Sequence, residues 1–189
     1  INDLFDIDFD RKHPIKKDRP IPSGKISSKK AMSIAGICLL IGIFLISTVS
    51  AAAVALTLAY FIINVFYSYK LKQISIIEFC IVASGFVIRI LIGGEVSDVF
   101  LSQWIIVMVF LLSIFIAVSK RRDDVSQFEE ENKKNRLVVD QYTTEYLDKV
   151  ITIVSSVLIV SYLLFITSQD VQDRYDSPYL ILTFILVLI

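Results

Sequence analysis

Cysteine is nearly absent from this 189-residue chain, which holds two Cys, one His, one Trp and two Met. Cys38 and Cys80 both lie inside apolar runs, where a free thiol is a small packed hydrophobe, so neither a disulfide framework nor a thiolate metal centre is expected. Net charge is missing too. The 19 Lys and Arg balance 19 Asp and Glu, which argues against general nucleic-acid binding. Internal repeats and low-complexity segments are lacking. No basic, apolar, small-residue pattern precedes the aspartates that begin at Asp3, and the first residue is Ile, so the numbering is expected to begin inside a longer polypeptide. The last apolar run, 179–189, stops after 11 residues and is too short to span a bilayer, so both ends read as cut.

What the chain has in excess is apolar surface. Apolar residues make up 55% and charged residues only 20%, with mean hydropathy +0.68, too greasy for a soluble domain of this size. The apolar residues fall in blocks at 31–48, 51–68, 74–94, 103–119 and 150–168, with 179–189 as an incomplete sixth. A membrane helix needs about 20 mostly apolar residues to cross roughly 30 Å of hydrocarbon. Strands would show alternation and turn clusters, and these blocks do not. The reading is therefore an all-α, multi-pass transmembrane helical bundle, a single membrane domain over 1–189. The Val49–Ser50 turn is short enough to force a tight antiparallel hairpin, and Ala51, Ala52, Ala53, Ala55 and Ala59 offer a small-residue face for close helix contact.

The charges are segregated. Of the Lys and Arg, eight precede the first block, two (Lys70 and Lys72) follow the second, and seven fall in 120–149. The Val49–Ser50 turn and the stretch around Glu95 carry none, and 169–177 carries only Arg174. The positive-inside rule places 1–30, the Lys70 turn and 120–149 together on the cytoplasmic side.

Two of those segments carry chemistry. Asp3, Asp6 and Asp10 recur at i, i+3 and i+7, which puts three carboxylates on one face of a helix. Asn2 adds a neutral oxygen donor and Asp8 a fourth acid. Arg11, Lys12, His13, Lys16, Lys17 and Arg19 follow, then Pro20, Pro22 and Gly24. Acids near a membrane helix end are commonly just solvated, but carboxylates this dense repel unless a cation sits among them. Hard oxygen ligands beside a basic, proline-stiffened loop suit Mg²⁺ and a diphosphate. His13, before Pro14, reads as a turn residue or phosphate contact. The second segment is Lys120, Arg121, Arg122, Asp123 and Asp124, where a membrane helix emerges. A basic patch there is what topology alone requires, but it lies on the same side as the first cluster. The run 129–134 reads as a solvated helical surface. Glu78 and Arg89, 11 residues apart, share a helix face inside a membrane block. Glu78 can snorkel to the near interface, while Arg89 is deeper and is expected to face a polar cavity. Gly85, Gly93 and Gly94 read as packing or bending points.

The pattern Asn2-Asp3-x-x-Asp6-x-x-x-Asp10, with Lys16-x-x-Arg19-Pro20 and Pro22-Ser23-Gly24, resembles the first aspartate-rich motif of the UbiA-type intramembrane prenyltransferase superfamily. The resemblance implies a UbiA-like bundle of nine membrane helices with a Mg²⁺-diphosphate site in a cavity open to the cytoplasm. This chain would cover that bundle from the end of its second helix into its eighth. Within the superfamily it is most similar to the decaprenyl-phosphate phosphoribosyltransferases. His13-Pro14, Tyr67-Ser68 with Lys72, the 81–89 run ending in Arg89, Gly93-Gly94, Lys120-Arg121 and Tyr142-Thr143-Thr144-x-Tyr146-Leu147 carry that similarity. Ordinary prenyltransferases tend to follow their second acidic motif with Gly-x-Lys-Ser, whereas here Asp123-Asp124 precedes Val125-Ser126-Gln127-Phe128.

The activity this implies is Mg²⁺-dependent transfer of a 5-phosphoribosyl group from phosphoribosyl diphosphate to a polyprenyl phosphate in a bacterial inner membrane. Asp3, Asp6 and Asp10 would hold Mg²⁺ on the leaving diphosphate, with Asn2 orienting it and Asp123 or Asp124 completing the metal site. Lys16, Arg19, Lys120 and Arg121 would bind phosphate oxygens, Arg89 or Lys72 would position the lipid phosphate, and Tyr67 would join the substrate contacts. No nucleic acid is expected as a partner, and an oligomer is compatible with the reading. Two alternatives stand beside it: a prenyltransferase in which the diphosphate belongs to the lipid, and a transporter or channel whose clusters only set topology.

Overall fold

The structure is a computed structural model that describes residues 2–12, 16–131, 142–175 and 179–188. Among these residues it is all helical, and five helices are long and apolar enough to cross a membrane. They are α3 (Ser28–Ser47), α4 (Ala51–Tyr69), α5 (Ile77–Ser97), α6 (Gln103–Glu131) and α7 (Thr144–Ile166). Two short helices, α1 (Asn2–Phe5) and α2 (Ile7–Asp10), precede them, and α8 (Gln169–Tyr175) and α9 (Leu180–Leu188) follow. The five expected spans are these five helices, with shifted ends. Hydroxyl caps set several starts. Ser27, Ser50 and Thr143 accept from the backbone N–H of Lys30, Ala53 and Tyr146, which moves the first helix out to Ser28 and the fifth back to Thr144. The fourth helix does not end with its apolar block at 119. It runs on through the charged cluster to Glu131, because Lys120 to Asp124 contain no helix breaker. The 129–134 run is helical as far as Glu131, and its remainder lies outside the described residues.

Consecutive long helices pack against each other, α3 on α4, α4 on α5, α5 on α6 and α6 on α7, with α9 returning to α7. Most hydroxyls inside these helices are satisfied locally. Thr57, Ser68, Ser84, Ser113 and Ser155 each donate to the carbonyl one turn earlier, which spares these hydroxyls an unpaired exposure to hydrocarbon. Helix α3 buries none of its residues, and Ile34, Leu40 and Phe44 stand outward. Apolar surface turned outward is the normal condition in lipid.

The two ends of the bundle differ. At one end Ser50 donates to Glu95 across the starts and finishes of α4 and α5. At the other, α1 docks on the last turn of α4 through Phe5 and Tyr69, rings 6.3 Å apart and edge-on. That second end also holds a buried apolar cluster, Phe79, Val118, Val125, Tyr142 and Leu147, where α5, α6 and the start of α7 meet. The described residues of the 1–30 segment, the Lys70 turn and the charged part of α6 therefore gather at one end, as the charge segregation indicated.

Candidate active site

The acidic motif is built from two helical turns rather than one. Asp6 has φ −100° and ψ 5°, outside the helical basin, and separates α1 from α2. Helix-type bonds still bridge the break, Asp6 N–H to the Asn2 carbonyl at 3.1 Å and Asp10 N–H to the Asp6 carbonyl at 2.7 Å. Phase is therefore kept across the interruption. The expected single helix is corrected, but the shared face of Asp3, Asp6 and Asp10 survives.

The basic loop folds back over this face. Arg11 Nε donates to the Pro22 carbonyl at 3.2 Å, and Pro22 is buried. Gly24 takes φ +79°, a left-handed conformation that glycine reaches without steric cost, and Ile26 N–H closes onto the Pro20 carbonyl at 2.9 Å. The fold-back carries Arg19 to the acids, where one nitrogen, Nη1, sits 3.2 Å from Asp3 Oδ1 and 3.3 Å from Asp10 Oδ2. The Asp10 side chain is only 5% exposed, so a counter-charge is required there. Asp6 is held from both sides. Asn2 Nδ2 donates to its Oδ2 at 3.0 Å, and the Lys72 ammonium contacts its Oδ1.

Lys72 comes from the 3-10 turn Leu71–Gln73 between α4 and α5. The same connection tightens further at Ile76, where φ 68°, ψ −48° and an Ile77 N–H to Ser75 carbonyl bond of 2.7 Å define a γ-turn of the strained hand. A β-branched residue there is a genuine outlier. The Ile76 N–H donates to Tyr142 Oη at 2.7 Å. Burial pushes the Tyr142 phenol pKa above its ordinary value.

Two residues beyond Ile76, the second cluster begins. Glu78, 3% exposed, accepts from Arg121 Nε at 3.1 Å and Nη2 at 2.5 Å, a two-pronged pair between α5 and α6. Arg121 Nη1 lies 3.8 Å from Asp124. Arg122 donates to Asp148 of α7 at 3.0 Å. Lys120 and Asp123 are exposed on the same helical stretch.

Of the expected site residues, Asn2, Asp3, Asp6, Asp10, Arg19 and Lys72 are thus brought together. Lys16 lies in the 3-10 turn Lys16–Asp18, half-buried, and Tyr67 is half-buried near the end of α4. Asp123 and Asp124 sit with the arginines of α6, and the structure does not place them in a ligand group with the first acids. Glu78 and Arg89 share a helix but take different partners. Glu78 is a buried ion-pair partner rather than a snorkelling end residue. Arg89 hydrogen-bonds Tyr60 and lies over two rings, Tyr60 at 4.8 Å and Phe86 at 5.1 Å, which spreads its charge over aromatic faces inside the span. Gly85 faces Tyr60, where an added Cβ would touch the ring at 3.5 Å. His13 and Pro14 lie outside the described residues. Sequence reasoning missed Tyr60, Asp148 and the pairing role of Glu78, because each acts across helices with no spacing signal along the chain.

The acids fit a divalent cation by chemistry. They are hard carboxylate oxygens, and Arg19 shows that one positive centre can reach two of them at once. Among the described residues no group of three or more His, Cys, Asp or Glu is arranged as a metal site, and Lys72 and Arg19 pair with the carboxylates. Beside the acids lies an apolar cavity of about 450 Å³ walled by Leu4, Phe5, Met32, Gly36, Phe61 and Val65.

The UbiA prenyltransferase family model matches residues 1–188. The chain is 36% identical over 171 residues to the decaprenyl-phosphate phosphoribosyltransferase of Mycolicibacterium smegmatis, covering 90% of this chain and 54% of that one. It is 32% identical to the enzyme of the same name from Corynebacterium glutamicum, covering 92% and 53%. The chain therefore spans about half the length of the curated relatives it matches. Its fold matches a UbiA homolog from Archaeoglobus fulgidus bound to GPP and Mg²⁺, with TM-score 0.77 and 19% identity over 98% of this chain and 66% of that one.

Proposed function

The chain belongs to the UbiA prenyltransferase family and is a multi-pass membrane protein, and from that premise we propose that it carries the diphosphate-handling half of a phosphoribosyltransferase. The donor is 5-phosphoribosyl diphosphate and the acceptor a polyprenyl phosphate in a bacterial inner membrane, with the acid motif on the cytoplasmic side. The observation that carries the reading is the convergence of Asp3, Asp6 and Asp10 with Arg19 and Lys72 at one end of an apolar bundle. Similarity to the two phosphoribosyltransferases supports the choice of donor.

In the reaction the bond from the ribose anomeric carbon to the diphosphate oxygen breaks, and one from that carbon to a lipid phosphate oxygen forms. Mg²⁺, when bound, would offset the charge on the departing diphosphate, and Asp3, Asp6 and Asp10 would hold it. Asn2 fixes Asp6 in place. Arg19, Lys72, Lys16 and Lys120 would offer cations to phosphate oxygens, and Arg89 would position the lipid phosphate, with Tyr67 among the substrate contacts. That phosphate is already anionic, so no strong general base is needed. Asp123 and Asp124 remain as further acids on α6, and Arg121 braces that helix against Glu78.

One observation favours a second reading. The apolar cavity beside Leu4 and Phe5 would suit an isoprenoid chain on the same molecule as the diphosphate, as in transfer from a prenyl diphosphate to another acceptor. A donor competition separates the two. Full-length protein in nanodiscs with Mg²⁺ is expected to transfer label from phosphoribosyl diphosphate to polyprenyl phosphate, and Asp6→Asn to abolish it. Turnover of a prenyl diphosphate with none of phosphoribosyl diphosphate would overturn the first reading. Asp6→Asn without effect would overturn both.

A further inference from the structure

The acid motif carries its own cations. Asp6 uses one carboxylate oxygen for Asn2 and the other for Lys72, which arrives from 66 residues away. Asp3 and Asp10 share a single guanidinium nitrogen of Arg19. Two cations therefore stand against three carboxylates. A divalent ion placed among those oxygens would meet an ammonium and a guanidinium at contact distance, and like charges that close exclude one another. Lys72 sits on a flexible four-carbon stem with a fifth of its side chain exposed, and Arg19 is nearly half exposed, so both have somewhere to go.

We propose that Lys72 and Arg19 are exchangeable counter-ions that guard the motif against a bare divalent cation. They yield to a cation that arrives with a diphosphate. The diphosphate supplies the anionic oxygens that the displaced ammonium and guanidinium then bind, so cation and diphosphate bind with positive coupling. This rests on the metal–diphosphate reading above and adds to it a rule of binding order. The same two residues that lower affinity for the ion alone raise affinity for the complex.

The test uses full-length protein in nanodiscs, Mn²⁺ as a paramagnetic probe and inorganic pyrophosphate as the diphosphate. Lys72→Met keeps the length of the side chain and removes its charge. It is expected to bind Mn²⁺ alone at least about fivefold more tightly than the unaltered protein. In saturating Mn²⁺ it is expected to bind pyrophosphate at least about fivefold more weakly. Lys72→Arg, which keeps the charge, is expected to behave like the unaltered protein in both titrations and controls for loss of folding. Equal or weaker Mn²⁺ binding by Lys72→Met, with Asp6→Asn abolishing binding, would overturn the exchange and leave the metal site standing. Mn²⁺ binding indifferent to Asp6→Asn would overturn the metal site and the exchange with it.

Discussion

Breaking the Glu78–Arg121 pair is the perturbation that most directly tests the second cluster. Glu78 is 3% and Arg121 16% exposed, and the guanidinium meets both carboxylate oxygens, so neither charge can be recovered by water. Removing one partner of such a pair leaves the other buried and uncompensated, at a cost of about 3–5 kcal/mol. The two halves are not symmetric. In Glu78→Met, Arg121 keeps Asp124 at 3.8 Å, so the loss is expected near 3 kcal/mol. In Arg121→Met, Glu78 keeps no cation among the described residues, and the loss is expected nearer 5 kcal/mol. The double variant Glu78→Met/Arg121→Met removes both charges and keeps much of the volume beside Phe79 and Val125, so its stability is expected within about 1 kcal/mol of the unaltered protein. Equilibrium unfolding by SDS in bicelles would measure all three. Single losses below about 1 kcal/mol, or a double loss equal to the sum of the singles, would refute the claim that this pair is buried and coupled. Transfer activity adds a second readout. A double variant that is stable and active would show that Arg121 braces α6 and does not bind phosphate.

Two further predictions concern the connection between α4 and α5. Ile76→Gly removes a β-branched side chain from φ 68° and is expected to raise stability by about 1 kcal/mol, checked by the same unfolding; a loss would show that the Ile76 side chain contributes more than the γ-turn costs. Tyr142→Phe deletes the acceptor of the Ile76 N–H while keeping the ring against Phe79 at 5.5 Å, and is expected to cost about 1 kcal/mol in SDS unfolding. No change would mean that water replaces the phenol there.

Much of the architecture was legible because it rests on one-dimensional quantities. An apolar block either is or is not long enough to cross hydrocarbon, and the blocks at 31–48 through 150–168 each correspond to one long helix. Charge segregation named the residues that meet at one end, and contacts such as Lys72 with Asp6 and Arg121 with Glu78 join those segments. Helix ends were less legible, since the apolar composition of a block does not mark where backbone hydrogen bonding stops. Helix α6 shows this, continuing 12 residues beyond the apolar limit at 119 to Glu131.

By itself the sequence determined a membrane-spanning helical chain, its family, and an acidic face whose spacing survives even a break at Asp6. Tertiary structure alone decided which cation answers which acid. Arg19 shared between Asp3 and Asp10, Lys72 reaching Asp6, Glu78 taking Arg121 and Tyr60 taking Arg89 all depend on how helices pack across distances of 9 to 66 residues. Such partners are chosen by a three-dimensional meeting of side chains, and no periodicity along one helix records it.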